Sequence, residues 1–231
     1  MDRILEQILS GIEDAPLVEA RIFDGASLVL SRHAGAAYRF PGPKPGTPVP
    51  APESALDIAR LGLSSDTGEA SLGIAAINSL VTPSGAAPCT GSGTSLLMEW
   101  AAGRDVAMIG HFAFTDKLRC AAGKLWVLEL DPKEGDLPAE RAADIIPRAQ
   151  VVAITGTTFI NHTLEGLLAL ARGKRIMILG PSTVMSPVLF DYGVEAICGN
   201  HIVDNEMIKA DLAAGKGLRA ARGMQKLILT R

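Results

Sequence analysis

The sequence predicts an α/β fold: a small α+β unit followed by a larger unit on a mainly parallel sheet. Three observations predict it. Short apolar runs, several rich in β-branched residues, end in glycine or polar residues, as strands buried on both faces do. They are Val106–Gly110, Leu125–Leu130, Val151–Ile154, Arg175–Gly180 and Val194–Asn200. Helical spacing appears between several of them, as at Leu164, Leu167, Leu168 and Ala171. The intervals leave room for the crossovers of about a dozen residues that parallel strands require. From about residue 104 onward the chain therefore reads as Rossmann-like.

The first unit is read in chain order. Ile4, Leu5, Ile8, Leu9 and Ile12 share one face of an opening helix. Val18–Phe23 and Ser27–Ser31 are predicted strands around Asp24-Gly25, a pair suited to a type I′ turn. Ala36–Phe40 adds an extended run. Alternate prolines over residues 41–53 predict a stiff, coreless connector. Helices are expected over Ser54–Leu61 and Glu69–Leu80. Thr82–Ser95, rich in Gly, Ser and Pro, is read as a linker, and Leu96–Ala102 as a helix leading into the second unit. The domains are thus expected at 1–85 and 86–231, with a ligand cleft between them.

Composition narrows the function. The chain has 231 residues, 48% hydrophobic and 20% charged, with a net charge of −3. That balance argues against nucleic acid, which needs a clustered basic face. The most basic stretch, Lys216–Arg222, is interrupted by Gly and Ala and reads as a solvated face. Cys89, Cys120 and Cys198 make no paired framework, which suits a reducing setting. The N-terminus has no signal-peptide core, and no run is long enough to span a membrane. The expectation is a cytoplasmic protein without membrane insertion, and a homo-oligomer is compatible with it.

In open α/β sheets, ligands bind beyond the carboxyl ends of the strands. The residues collected there are Gly110 and His111; Thr155, Gly156, Thr157, Thr158 and Asn161; Gly180, Pro181, Ser182 and Thr183; and Gly199. The threonines and Ser182 would supply hydroxyls and helix N-terminal N–H groups to an anion. As an alternative, the threonines merely cap the helix. Asn78, polar within an apolar helix, is either buried and hydrogen-bonded or turned into the cleft. His111 is the acid/base candidate, since imidazole titrates near neutral pH. Glu129 ends the second strand of the larger unit, where a ribose-binding acid would sit, but the glycine fingerprint of dinucleotide sites is absent. P-loop, nucleophile-elbow and zinc-protease motifs are absent too. Cys198 and His201 stand close in sequence, with His111 and His162 as further imidazoles on the same rim. One Cys-x-x-His pair is far short of a four-ligand site, so no structural metal is expected. No cofactor is identified.

The segments IGHFAF, LWVLELDP, DIIP, ITGTTFINHTLEGLL, LGPSTVMSPVLFDYGV and CGNHIVDNE, in that order, resemble the family described as putative heavy-metal chelation proteins. GIAAINS resembles a segment of that family's companion N-terminal domain. The resemblance implies an enolase N-terminal-like domain joined to a Rossmann-like domain, with a site where they meet. Ala113 and Val184-Met185 depart from the Pro and Pro-Leu more usual in the family. The function expected is binding of a small polar or anionic ligand, such as a metal chelate or its precursor, between the domains. The alternatives are a nucleotide- or S-adenosylmethionine-dependent enzyme, with Glu129 on the ribose, and a noncatalytic sensor or accessory protein of metal uptake.

Overall fold

The computed structural model describes residues 2–40, 54–82 and 88–231. The proline run and the proposed boundary at 85–86 lie outside these residues. The first unit opens with α1 (Arg3–Ser10), capped where the Asp2 carboxylate accepts the Leu5 N–H, with Ile4, Leu5 and Ile8 buried. β1 (Glu19–Phe23), β2 (Ala26–Leu30) and β3 (Ala34–Tyr38) form an antiparallel meander. Two helices follow: α2 (Ala55–Ala59), extended by a 3-10 turn over Arg60–Leu63, and α3 (Thr67–Leu80). Asp66 caps α3, accepting the Gly68 and Glu69 N–H groups.

The hairpin turn differs from the type expected. A type I′ turn needs positive φ at both central residues. Gly25 has φ +111°, but among described non-glycine residues only His162 has a positive φ. The left-handed position is therefore confined to Gly25, which is the pattern of a type II turn.

The meander is covered on both faces. Val29 and Ala37 pack in the cluster that contains α2 and α3, and β3 lies directly on the α3 backbone. A Cβ on Gly35 would stand 2.2 Å from the Ala75 carbonyl oxygen, so only glycine permits this approach. Ala26, Leu28, Leu30, Ala34 and Ala36 turn the other way, onto Ile202, Ile208, Leu212 and Leu218 of the second unit.

The second unit begins with the short strand β4 (Cys89–Thr90) and α4 (Gly93–Ala101). The stretch read as a linker thus contributes an edge strand and a helix start, because Cys89 and Thr90 pair with Ile228 and Leu227. Then come β5 (Asp105–Ile109), α5 (Thr115–Ala121), β6 (Lys124–Glu129), β7 (Leu137–Pro138) and α6 (Ala142–Ile145). They are followed by β8 (Val151–Thr155), α7 (Leu164–Leu170), β9 (Arg175–Leu179), β10 (Val194–Ile202), α8 (Asn205–Ala213) and β11 (Met224–Thr230). The sheet order is β4-β11-β10-β9-β8-β5-β6-β7. Strands β10 through β7 in that order pair in parallel, while β11 is antiparallel to both its neighbours.

Period-two alternation sends Val106, Met108, Ala153, Met177 and Cys198 to a face covered by Leu97 and Trp100 of α4 and Leu118 of α5. Ala107, Ile109, Val152, Ile154, Ile176 and Ile178 face the opposite way, toward Ile145, Leu164 and Leu168. That second layer is continuous with α1 and α3 of the first unit. Both faces are thus buried, as a parallel sheet requires. Among the described residues no helix is long and apolar enough to cross a membrane.

Candidate functional site

Chain order reverses between β5 and β8, and such switch points open a crevice at the carboxyl ends of the strands. The turn after β5 carries Gly110 (φ +100°) and His111. Glu129, at the end of β6, accepts the His111 N–H on Oε1 and the Leu130 N–H on Oε2. Both carboxylate oxygens are thereby engaged in holding the turn. His111 Nδ1 lies 2.9 Å from Oδ2 of Asp136, whose side chain has no exposed surface, while the imidazole is 29% exposed. Asp136 also accepts the Lys133 N–H. A buried carboxylate against Nδ1 fixes the tautomer and leaves Nε2 for proton transfer.

A cavity of about 270 Å³ lies beyond the carboxyl end of β9 and beside Cys198–Asn200 of β10, on the α4 side of the sheet. Its floor includes Gly180, Pro181, Cys198, Gly199 and Asn200. One wall is the start of α4, where Ser92 caps the helix and accepts the Ser95 N–H. Gly93 allows this wall to sit close, since a Cβ there would stand 2.6 Å from the Cys198 Cβ. Phe112 and Phe114, stacked at 5.1 Å, form another side. The segment before β11 closes the space with Leu218, Arg219 and Ala221, and Lys226 stands on β11 itself. Arg219 lies over the Phe112 ring and donates to the His111 carbonyl at 3.2 Å. Two cations and a helix N-terminus around apolar walls suit an anion with an apolar portion.

Asp211, 3% exposed, fastens that closing segment. It accepts from Lys216 Nζ and from the Arg222 backbone and guanidinium. The Arg222 guanidinium, and then Lys216, hold its carboxyl far below the usual carboxylate range.

The structure divides the expected rim. Gly180, Pro181 and Gly199 line the cavity, and Asn78 and Pro181 line a crevice of about 20 Å³ between the two units. The ligand-sized space is built from second-unit residues, whereas the inter-unit crevice has room for about one water. Thr155 Oγ1 accepts the Thr157 N–H and contacts Thr157 Oγ1, and Thr158 Oγ1 donates to the Thr155 carbonyl at 2.7 Å. The segment Gly156–Phe159 is a single 3-10 turn, and α7 starts only at Leu164, after Asn161. The expected helix N-terminus therefore does not follow Thr155 directly. Asn161 accepts from the Thr163 N–H and hydroxyl. Ser182, 1% exposed, accepts the Tyr38 N–H at 2.8 Å and joins the two units. Thr183 is 2% exposed, packed where a Cβ on Gly156 would collide with it.

The imidazoles and thiols also separate. His162 bonds the Ser64 carbonyl at 2.7 Å and the Asp2 carboxylate at 3.3 Å, so it ties the units together away from the Asp136 pairing of His111. Cys198 packs in the α4 layer, and burial, with Cys89 nearby, pushes its thiol up to about 12. His201 instead meets His33 edge-on, with ring centroids 5.7 Å apart.

Sequence reasoning read Ser92 and Gly93 as linker and Arg219 as part of a solvated face, and did not single out Phe114, Lys226 or Asp136. Arg219 instead turns onto Phe112 and lines the cavity. A signal existed for the first pair: TGSGTS opens a helix as a glycine-rich turn does. Asp136 reaches His111 from a loop, which no local spacing announces.

A family profile described as "putative heavy-metal chelation", DUF364, matches residues 94–230. The chain belongs to that family. A second profile with the same description, DUF4213, matches residues 5–81. The crystal structure of a family member of unknown function from Desulfitobacterium hafniense DCB-2 superposes with a TM-score of 0.85 at 26% identity, covering 99% of this chain and 97% of that one. Another of unknown function, from Pyrococcus horikoshii, gives 0.81 at 18% identity, covering 100% and 99%. No curated protein matches. A family named for metals raises the question of fit. Among the described residues no three His, Cys, Asp or Glu side chains converge as a metal site, and the Cys198 thiol is held protonated. A conventional thiolate or carboxylate site therefore does not fit these residues.

Proposed function

We propose that this chain binds a small anionic ligand with an apolar portion in the cavity between α4, Phe112 and Arg219; a metal chelate or its precursor is a ligand of that kind. The observation that carries the reading is the pairing of a 270 Å³ space with Arg219, Lys226 and the α4 N-terminus at the carboxyl edge of the sheet. The anion would sit against the helix N–H groups and the two cations, and the apolar portion against Phe112, Leu218 and Leu227. Metal handling as a biological role follows from the family description alone.

The test is a thermal-shift screen with small carboxylates, phosphates and their metal chelates. A ligand at 100 times its dissociation constant should stabilise the fold by about 2.7 kcal/mol. That stabilisation should vanish in Arg219→Ala and shrink in Lys226→Ala. Ligand-induced shifts of equal size in both variants would remove the cavity from consideration.

One observation favours a second, catalytic reading: the Asp136–His111 pair beside this cavity has the form of an oriented acid/base. A nucleotide or S-adenosylmethionine enzyme would show stabilisation by an adenosine compound together with turnover lost in His111→Asn. Glu129 does not serve as the ribose ligand expected from the sequence, since its two oxygens already accept the His111 and Leu130 N–H groups. Saturable binding without turnover would instead support a sensor or accessory role.

A further inference from the structure

We infer that the ligand of the cavity between α4, Phe112 and Arg219 is a phosphate monoester, and that Lys226 and Asn200 select it over a singly charged anion. This rests on the cavity reading above and names the class of ligand. Four cations stand in or beside the closing segment, and the fold uses them in two ways. Lys216 and Arg222 are both paired with Asp211. Arg219 meets the His111 carbonyl and the Phe112 ring, and neither it nor Lys226 has a carboxylate partner among the described residues. These two line the cavity, whose described lining includes no Asp or Glu. Two uncompensated positive charges on one enclosed space match a dianion, and a phosphate monoester carries about −1.5 to −2 at pH 7.

The strand register places the selecting pair. Cys198 and Ile228 stand opposite each other in the β10–β11 ladder, and both pack in the α4 layer. Two residues further along each strand the same face carries Asn200 and Lys226, again directly opposite. Opposed side chains of an antiparallel pair start about 4.5–5.5 Å apart at Cβ, so this carboxamide and ammonium share one patch of the cavity floor. The Asn200 side chain has no hydrogen-bond partner among the described residues, and its Nδ2 is free to donate beside Lys226. Thr94 adds a hydroxyl from the α4 wall, and Arg219 a planar fork that phosphate oxygens accept in pairs. Cys198, on the same floor, stays a neutral thiol. The lining is therefore rich in donors and holds no anionic acceptor. Three terminal phosphate oxygens use such a set more fully than the two of a carboxylate.

The test compares phenyl phosphate with phenyl sulfate, nearly the same shape with one charge fewer, by calorimetry on the full chain. At pH 7.5 phenyl phosphate should bind about tenfold tighter. The second phosphate proton is lost at about pH 6, so the preference should shrink to about twofold at pH 5. Sulfate keeps its charge over this range and so cancels any titration of His111, of its partners Asp136 and Glu129, or of Cys198. Lys226→Gln should cut the pH 7.5 preference to about threefold or less. Asn200→Asp, which sets a carboxylate against Lys226, should abolish it, and circular dichroism checks that both variants fold. Equal binding of the two probes at pH 7.5, a preference unchanged at pH 5, or one that survives both substitutions would overturn the assignment while leaving the cavity reading in place. Carboxylates that bind where phenyl phosphate does not would do the same. The cavity reading fails separately, when no anion in the screen depends on Arg219.

Discussion

Asp136, its side chain wholly enclosed, holds Nδ1 of His111 at 2.9 Å and so fixes the only imidazole at the mouth of the β5 turn among the described residues. The pairing predicts that neutral His111 carries its proton on Nδ1, which nitrogen chemical shifts of the imidazole will show. Asp136→Asn should lose this preference and about 1.5–3 kcal/mol of stability in denaturant titration, the value of a hydrogen bond to a charged group.

Asp211 makes the cavity's closing segment sensitive to acid. Its folded pKa is depressed by Arg222 and Lys216, so its stabilising contribution is complete above the unfolded value and is lost as pH falls below about 4. The protection factors of the Lys216 and Arg222 amides, the observed exchange relative to the intrinsic rate at the same pH, should therefore fall on acidification toward pH 3. In Asp211→Asn those protection factors should already be low at pH 7 and change little with pH.

Ser182→Ala should act on stability. The Tyr38 N–H would lose its acceptor at a buried contact, at a cost of about 1–3 kcal/mol. Ligand affinity in the larger cavity should stay within twofold or so of the parent, because its lining does not include Ser182. Equal stability and weaker ligand binding would restore Ser182 to the site.

Gly35→Ala should be far more damaging than a surface Gly→Ala change. The new methyl would meet the α3 backbone at 2.2 Å, and a helix backbone cannot yield as a side chain does. Destabilisation of about 3 kcal/mol or more is expected in denaturant melts, the upper end for overpacking.

Cys198 should resist alkylation at pH 8 while the exposed Cys89 and Cys120 react. Its thiol is pushed up to about 12 by burial, so almost no thiolate is present. Mass spectrometry after iodoacetamide, with and without denaturant, reads the difference directly.

The strands of the parallel sheet were legible because each is a continuous apolar run cut off by a polar turn, as at Val151–Ile154 before Thr155. The opening helix and hairpin were legible from Ile4, Leu5 and Ile8 and from Asp24-Gly25. β11 was not, because an antiparallel return at the chain's end has no crossover to announce it; its Leu227–Leu229 core is short. The threonines after β8 drew attention as hydroxyls, yet local hydrogen bonding consumes them, as it does for many Thr residues in turns. Arg219 and Lys226 were missed for a different reason. Their chemistry comes from standing across from α4, a relationship between segments far apart in sequence.

The meander's two covered faces have a consequence for how the chain can be cut and recombined. Ala26, Leu28 and Ala36 form half of a dry seam whose other half is Ile208, Leu212 and Leu218. A fragment that starts at residue 94, where the second matched region begins, would present that seam to water. Such a fragment should pair its bare seam with another copy or precipitate, and adding back the first region as a separate chain should rescue it. What two family profiles treat as separable modules is, along this seam, a single unit of inheritance.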